Sequence, residues 1–273
     1  MLNRLSIPQL ILFSLIIVLV SPAQPDAMEC TAHVRFDPSR DYLVTGELGA
    51  SSSDSDPYPR RRLASVEVGP FGIRSHALCE NIANNSTYLY APWTYGEITL
   101  TDVVFSSEQN EPVPVSLNLD LDGGFDLLDQ TGKYALGKIV IDATINGTTF
   151  PGEIHVCTMY CNEVQIGLLE GVLGRWYHDV RLTTTQVVVP VNEPVTVTIS
   201  MNIIVSVDQF PWAKGEALFN NTFTFARTGP VFNVPAGVNV NSEQSIIVDN
   251  AYYSGNSVPV SPTTWGAIKA LYR

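Results

Sequence analysis

The segment Asn118-Leu119-Asp120-Leu121-Asp122-Gly123, with Asp129 eleven positions after Asn118, holds side-chain oxygens at alternate residues. In a calcium loop such oxygens wrap one ion, a glycine makes the turn, and a carboxylate closes the site at the twelfth position. Calcium is therefore the one cofactor the sequence offers, with Asn118, Asp120, Asp122 and Asp129 as its ligands. Two features count against it. The closing residue is Asp rather than the longer Glu. Leu119 and Leu121 also continue an alternation that begins at Val113. On an extended strand the oxygens then line one face about 7 Å apart, too far to share an ion. We read the segment as a strand with a polar outer face that runs into an Asp-Gly-Gly turn. Calcium is expected to change little.

Aromatic side chains form the second constellation. Tyr88, Tyr90, Trp93 and Tyr95 fall within eight residues around Ala91-Pro92, and Trp176-Tyr177 and Phe210-Pro211-Trp212 lie beside Gly- or Pro-bearing segments. Aromatic rings on the rim of a β-sandwich stack on the apolar faces of sugars, while acids and amides read the hydroxyls. The same residues also serve as core and loop anchors. Catalytic groups are not distinguished. The four histidines are scattered, and His178-Asp179 would point to opposite faces of a strand. No Gly-x-Ser-x-Gly elbow accompanies them. Glu97, Glu153, Glu163 and Glu170 could be paired for glycoside cleavage, but so many acids give such a choice no discriminating power. No enzyme is expected.

Cys30, Cys79, Cys157 and Cys161 are the four cysteines. In an oxidising compartment an even count suggests two disulfides, and three pairings exist. Cys157 and Cys161 enclose only three residues, so a local bridge is the simplest choice, and it leaves Cys30 to pair with Cys79. A zinc site would want the tighter Cys-x2-Cys spacing.

The elements that must position these groups are strands. Alternating, β-branched or aromatic runs recur at 65–68, 96–105, 113–121, 138–145, 153–157, 185–191, 195–203, 217–225 and 246–248. Turn residues separate them, among them Asp122-Gly123-Gly124, Asn192-Glu193-Pro194 and Gly229-Pro230. Asn146-Gly147 reads as a tight hairpin. Only 164–173 and the C-terminus have helical character. The Ser-, Asp- and Arg-rich stretch 49–62, with Arg60-Arg61-Arg62, reads as a solvated mobile loop. The fold class is all-β: an antiparallel β-sandwich, jelly-roll-like, in a single domain at 24–255.

The ends address the chain. Arg4, the apolar run 10–20 and the small residues of Ser21-Pro22-Ala23 have the form of a secretory signal peptide over 1–23. The apolar run is too short to span a bilayer, which takes about 20 residues. No membrane span is expected after cleavage. At the other end, 256–273 reads as a linker and tail. Trp265, Ile268, Leu271 and Tyr272 share one face of a short helix started at Pro262-Thr263-Thr264. Lys269 and Arg273 suit its C-terminal end. The tail is expected either to pack on its own domain or to serve as a sorting or anchoring tag, with Trp265, Lys269, Tyr272 and Arg273 as the recognition residues. The net charge of −12 argues against nucleic acid and anionic membrane surfaces as partners.

In the second half, the run from Val187-Val188-Val189-Pro190 through Asn192-Glu193-Pro194 to Val195-Thr196-Val197-Thr198-Ile199 resembles a strand–turn–strand of bacterial secreted proteins of the PEP-CTERM type. So do Ala217-Leu218-Phe219-Asn220-Asn221-Thr222-Phe223 and the later Gly229-Pro230 to Pro235-Ala236-Gly237. The resemblance covers 187–254, with an echo at 115–123. It implies an extracellular, envelope or matrix location and brings no catalytic residues. The Pro-Glu-Pro anchor of that group is absent, and the chain ends in Trp265-Gly266-Ala267-Ile268-Lys269-Ala270-Leu271-Tyr272-Arg273 instead. The expectation is a secreted, non-enzymatic surface or matrix protein that binds extracellular polysaccharide or sorting machinery. The rival is a secreted hydrolase of polysaccharide.

Overall fold

The computed structural model describes residues 28–252, apart from 38, 48, 57–59, 82–90, 130–134, 158–163, 171–176, 208–212 and 243–245. The signal peptide, the cleavage site, Tyr88, Tyr90, Cys161 and the helical tail with Trp265, Lys269, Tyr272 and Arg273 lie outside the described residues.

The chain opens with β1 (Met28–Asp37), β2 (Arg40–Gly46), β3 (Ala50–Asp56), β4 (Arg60–Gly69) and β5 (Gly72–Asn81). The long strands β6 (Trp93–Ser106) and β7 (Val113–Asp129) follow, then β8 (Ala135–Ile145), β9 (Thr148–Cys157) and β10 (Val164–Gly167). Next come β11 (Tyr177–Thr183), β12 (Val187–Val189), β13 (Pro194–Val207) and β14 (Ala213–Phe225). The chain closes with β15 (Phe232–Asn233), β16 (Asn239–Ser242), β17 (Ile247–Val248) and β18 (Ala251–Tyr252). Every pairing among them is antiparallel. One sheet has the order β10-β9-β8-β13-β6-β1-β2, with β16 also on β6. The other runs β11-β7-β14-β5-β4-β3, with β12 and β15 on β7.

Period-two patterning explains the sandwich. Along β8 buried and half-buried residues alternate without a break, and β6 alternates over its first ten residues. Ile98 and Leu100 of β6 and Ile199, Met201 and Ile203 of β13 are buried on the first sheet. Leu117, Leu119 and Leu121 of β7 and Phe219, Phe223 and Phe225 of β14 are buried on the second. The two sets belong to one apolar core. Phe105 of β6 meets Phe232 of β15 edge to face at 5.0 Å, a contact that joins the two sheets. So does the buried Ser75–Thr94 hydroxyl pair.

Glycines let the sheets approach. A Cβ on Gly96 would sit 2.4 Å from Ile73 Cγ2, and one on Gly137 would sit 2.3 Å from the Phe125 ring. In each case a side chain of the second sheet fills the space over a glycine of the first. The Asn146-Gly147 hairpin forms as the sequence predicts. Ile145 pairs with Thr148, and both turn residues have positive φ, 47° and 80°.

Three local expectations are corrected. The stretch 164–173 begins with a strand, β10, paired to β9, and not with a helix. Its glycines weaken a helix, and the open edge of β9 supplies backbone partners. Most of 49–62 is sheet: β3 pairs with β4 from Ala50↔Val68 to Asp56↔Arg62. Tertiary partners override the polar composition there. Arg40 Nε donates to Asp54 at 2.7 Å, and Arg62 lies 5.2 Å over the Phe36 ring. Finally, β7 does not turn at Asp122-Gly123-Gly124 but runs on, flanked by β11 and β14. A Cβ on Gly123 would meet Phe219 Cδ1 at 2.5 Å, so the glycine makes room for a ring.

Candidate functional site

The outward side of the first sheet collects the chemistry. Directly paired residues share a face, so the register fixes its rows. One row runs Arg35, Trp93, Ile204, Lys138, His155. The next runs Leu43, His33, Tyr95, Asn202, Val140, Glu153. A third runs Thr31, Glu97, Ser200, Asp142.

Trp93 and Tyr95, both half-buried, lie two residues apart on this face of β6. Their rings are parallel within 8° with centroids 6.0 Å apart. His33 of β1 meets Trp93 edge-on at 4.6 Å and is paired with Asp41 of β2. The Tyr95 hydroxyl donates to Glu97 and is hydrogen-bonded to Ser200. Burial, then the Glu97 carboxylate, push the Tyr95 phenol up, so it serves as a neutral donor. Burial also raises Asp142. On the far side of the face Glu153 takes a hydrogen bond from Lys138 at 3.0 Å and one from His155. Burial pushes Glu153 up, but Lys138 and His155 outweigh it and hold the carboxylate below its ordinary range. The result is a ring platform bordered by carboxylates, an amide and hydroxyls.

Of the four aromatic residues singled out in sequence, the structure places Trp93 and Tyr95 side by side. Sequence reasoning missed His33, Ser200, Asp142 and Asn202. Glu97 was legible by alternation from Tyr95. The others come from strands up to 107 positions away in the Tyr95↔Asn202 register, and no local signal marks them.

The calcium candidates lie on the second sheet. Asn118, Asp120 and Asp122 project outward from β7, opposite in sense to the buried Leu117, Leu119 and Leu121. Asn118 Nδ2 donates to Pro230 O at 3.0 Å, and its Oδ1 accepts from Thr183 Oγ1 at 2.8 Å. Asp120 accepts from Arg181 and, at 2.7 Å, from the Arg227 backbone N–H. Asp129 lies eleven residues on in the same strand, roughly 36 Å away at about 3.3 Å per residue. The four residues are spread along a strand and do not surround a point. Among the described residues no group of three or more His, Cys, Asp or Glu is placed to hold a metal ion.

The cysteines divide differently from the expectation. Cys157 is disulfide-bonded. Cys30 and Cys79 are free and buried, so the predicted bridge between them is not formed. They sit far apart along the strands. Cys30 is level with Ile98 and, through it, Ile199, whereas Cys79 is hydrogen-bonded to the Val207 backbone. Those two positions on β13 are eight residues apart, about 26 Å along the strand, where a disulfide needs Cα atoms within about 7 Å. Burial pushes the thiols up, to about 11 for Cys30 and about 12 for Cys79.

A second charged cluster is structural. On the outside of the second sheet Glu216 binds His76 Nε2 at 2.8 Å and Lys214 Nζ at 2.6 Å, and Lys214 also reaches Asp126 at 3.0 Å. Burial raises Glu216, but the hydrogen bonds from His76 and Lys214 outweigh it and hold it at about 2, below its ordinary 4.5. A carboxylate depressed on folding contributes stability above its unfolded pKa and loses it as pH falls through the folded one. Denaturant midpoints measured between pH 5 and pH 2 are expected to decline across that window. The decline should be shallower in Glu216→Gln, and an equal slope in both proteins would refute the assignment.

No model of a known protein family matches the chain. No curated protein matches it either. A solved structure described as "Structural basis for the promiscuous specificity of the carbohydrate-binding modules from the beta-sandwich super family" is similar over 71% of this chain and 84% of its own, with 7% identity and a TM-score of 0.13. A likeness at that level carries no argument about this chain.

Proposed function

We propose that the chain is a secreted, non-enzymatic β-sandwich that binds extracellular glycan at the cell surface or in a matrix. The signal-peptide pattern of residues 1–23 supports export, and the tail at 256–273 is the proposed sorting element. The observation that carries the binding role is the parallel Trp93–Tyr95 pair on the outer face of β6, with Glu97 and Ser200 hydrogen-bonded to Tyr95. Rings offer an apolar surface to the C–H face of a sugar, and the polar border meets its hydroxyls. The open sheet face suits a ligand that is long and lies across strands.

One observation favours the rival hydrolase. Glu97 and Asp142 share a row two strands apart, and two strand spacings of about 4.8 Å give roughly 10 Å. That approaches the carboxylate separation of inverting glycosidases, up to about 9.5 Å. Against it, Tyr95 already engages Glu97, which leaves that carboxylate occupied as an acceptor.

Affinity electrophoresis against soluble β-glucan, xylan and alginate separates the readings. At least one polysaccharide is expected to retard the protein without releasing reducing ends. Trp93→Ala is expected to weaken that binding about tenfold, equivalent to about 1.4 kcal/mol. Unchanged retardation of Trp93→Ala, or none of the wild type, would reject the proposed face. Release of reducing ends lost in Glu97→Gln would establish the hydrolase.

A further inference from the structure

Among the described residues the first sheet ends on β2, whose central apolar side chains are uncovered; a register shift of β1 between Arg35 and Asp37 lies only at its start. Tyr42, Leu43 and Val44 are 44%, 61% and 40% exposed, on both faces of the strand. Natural edge strands are blunted by lysine, proline, bulges or covering elements, because their free backbone groups template another strand. The run 40–46, Arg-Asp-Tyr-Leu-Val-Thr-Gly, holds neither lysine nor proline. The neighbouring edge, β3, is polar by contrast, with Ser51, Ser52, Ser53 and Asp54 in succession. Arg40, the one cation of β2, is turned away to Asp54 and the Ser55 carbonyl.

We propose that β2 is a homodimer interface, on which a second copy of this chain adds its own β2 antiparallel across a two-fold axis at Leu43. The argument is self-complementarity, which an isologous interface requires. With Leu43 on the axis, Tyr42 faces Val44 twice, Leu43 faces Leu43, and Asp41 faces Thr45. The aromatic–β-branched pairs are favourable ones, and no like charges meet. The backbone is aimed correctly. Backbone groups alternate sides along a strand, and the Asn146 N–H to Thr196 O and Val205 N–H to Pro92 O bonds, carried through the register of β13, β6 and β1, turn Tyr42 and Val44 toward β1 and leave the Leu43 N–H and C=O pointing off it. Leu43 then pairs with itself as a hydrogen-bonded pair, Cα atoms about 5.5 Å apart, and Tyr42 and Val44 face each other in the closer non-hydrogen-bonded pairs. Leu43 shares a row with His33 and Tyr95. The dimer therefore joins the outer faces of two protomers into one surface. This inference stands whether or not that face binds glycan.

The chain's own residues 253–273 are the competing occupant, but Pro259 and Pro262 within them lack the N–H a ladder needs. Sedimentation equilibrium of the purified chain from micromolar to millimolar concentration is expected to show a reversible dimer. Leu43→Lys puts two ammonium groups face to face and is expected to weaken it about a hundredfold, with thermal unfolding unchanged because the side chain is exposed. Leu43→Cys is expected to give a cross-linked dimer on mild oxidation, since about 5.5 Å lies within disulfide reach. A wild type that stays monomeric, a dimer that survives Leu43→Lys, or a Leu43→Cys chain that fails to cross-link overturns the proposal. So does a dimer that forms only after deletion of residues 256–273, which would give the edge to the tail.

Discussion

Gly96→Val is expected to destabilise the protein by about 3 kcal/mol, roughly 10 °C in thermal midpoint for a domain of this size. Gly96 lies on the inward side of β6, between the outward Tyr95 and Glu97. A Cβ there would stand 2.4 Å from Ile73 Cγ2, 3.0 Å from Val68 Cγ2 and 3.1 Å from Val66 Cγ2. All three are β-branched methyls in a close-packed interior and have no other rotamer to retreat into without strain. Relief must come from moving the sheets apart, which loosens every contact between β5 and β6. The assignment is checked with a double-mutant cycle. Ile73→Ala alone costs about 2–5 kcal/mol, and it also empties the space that the new valine needs. Gly96→Val/Ile73→Ala is expected to be at least 1 kcal/mol more stable than the two losses added together. Additive losses would mean that the clash lies elsewhere. The substitution also reaches the candidate site, because β6 carries Tyr95 one position and Trp93 three positions before the strain.

Asn118→Ala is expected to cost about 3 kcal/mol, and millimolar calcium is expected neither to restore that loss nor to shift the wild-type midpoint. Asn118 is buried and ties three segments together. Its side chain holds Pro230 O, Thr183 and, in a reciprocal amide pair at 3.2 Å, Asn233. Its main chain holds Val231 O and the Ala226 N–H. Truncation keeps the backbone bonds but removes four side-chain hydrogen bonds, each worth a net of about 0.5–1.5 kcal/mol when its partner returns to water. Calcium binding to the native state would instead raise the midpoint with ion concentration. A rise of several degrees in wild type, absent in Asp120→Ala, would restore the calcium loop.

The all-β class and much of the strand inventory were legible because alternation is a local property. From Val113 to Leu121 each odd residue is apolar and each is at least partly buried, as period two requires. The Asn146-Gly147 hairpin was legible because positive φ at both positions restricts the residues that fit. What failed was composition read without tertiary partners. The serines and aspartates of β3 look like a loop until Arg40, fourteen positions upstream of Asp54, holds them at a sheet edge. Asp122-Gly123-Gly124 looks like a turn until Phe219, nearly a hundred residues on, occupies the room a side chain would take. The candidate face was half legible. Trp93, Tyr95 and Glu97 lie on one strand, but His33, Ser200 and Asp142 reach it only through pairing register, which a single sequence does not encode locally. The Cys30–Cys79 pairing failed for the same reason, since parity of count says nothing about where in a sandwich two cysteines lie.

On the proposed export route into an oxidising compartment, the two buried thiols impose an order of events. Until β1 and β5 are packed, Cys30 and Cys79 are as available to oxidants and to Cys157 and Cys161 as any thiol on an unfolded chain. Afterwards, at about 11 and about 12, fewer than about one in a thousand is thiolate at neutral pH, the form that attacks disulfides. Collapse and oxidation are thus in kinetic competition. Strands joined across long separations, such as β6 with β13 and β7 with β14, close slowly. A carrier or chaperone that delays contact with oxidant until the sandwich has closed leaves Cys30 and Cys79 as two silent thiols. Early oxidation gives covalently crossed chains that cannot bring Ile98 level with Ile199.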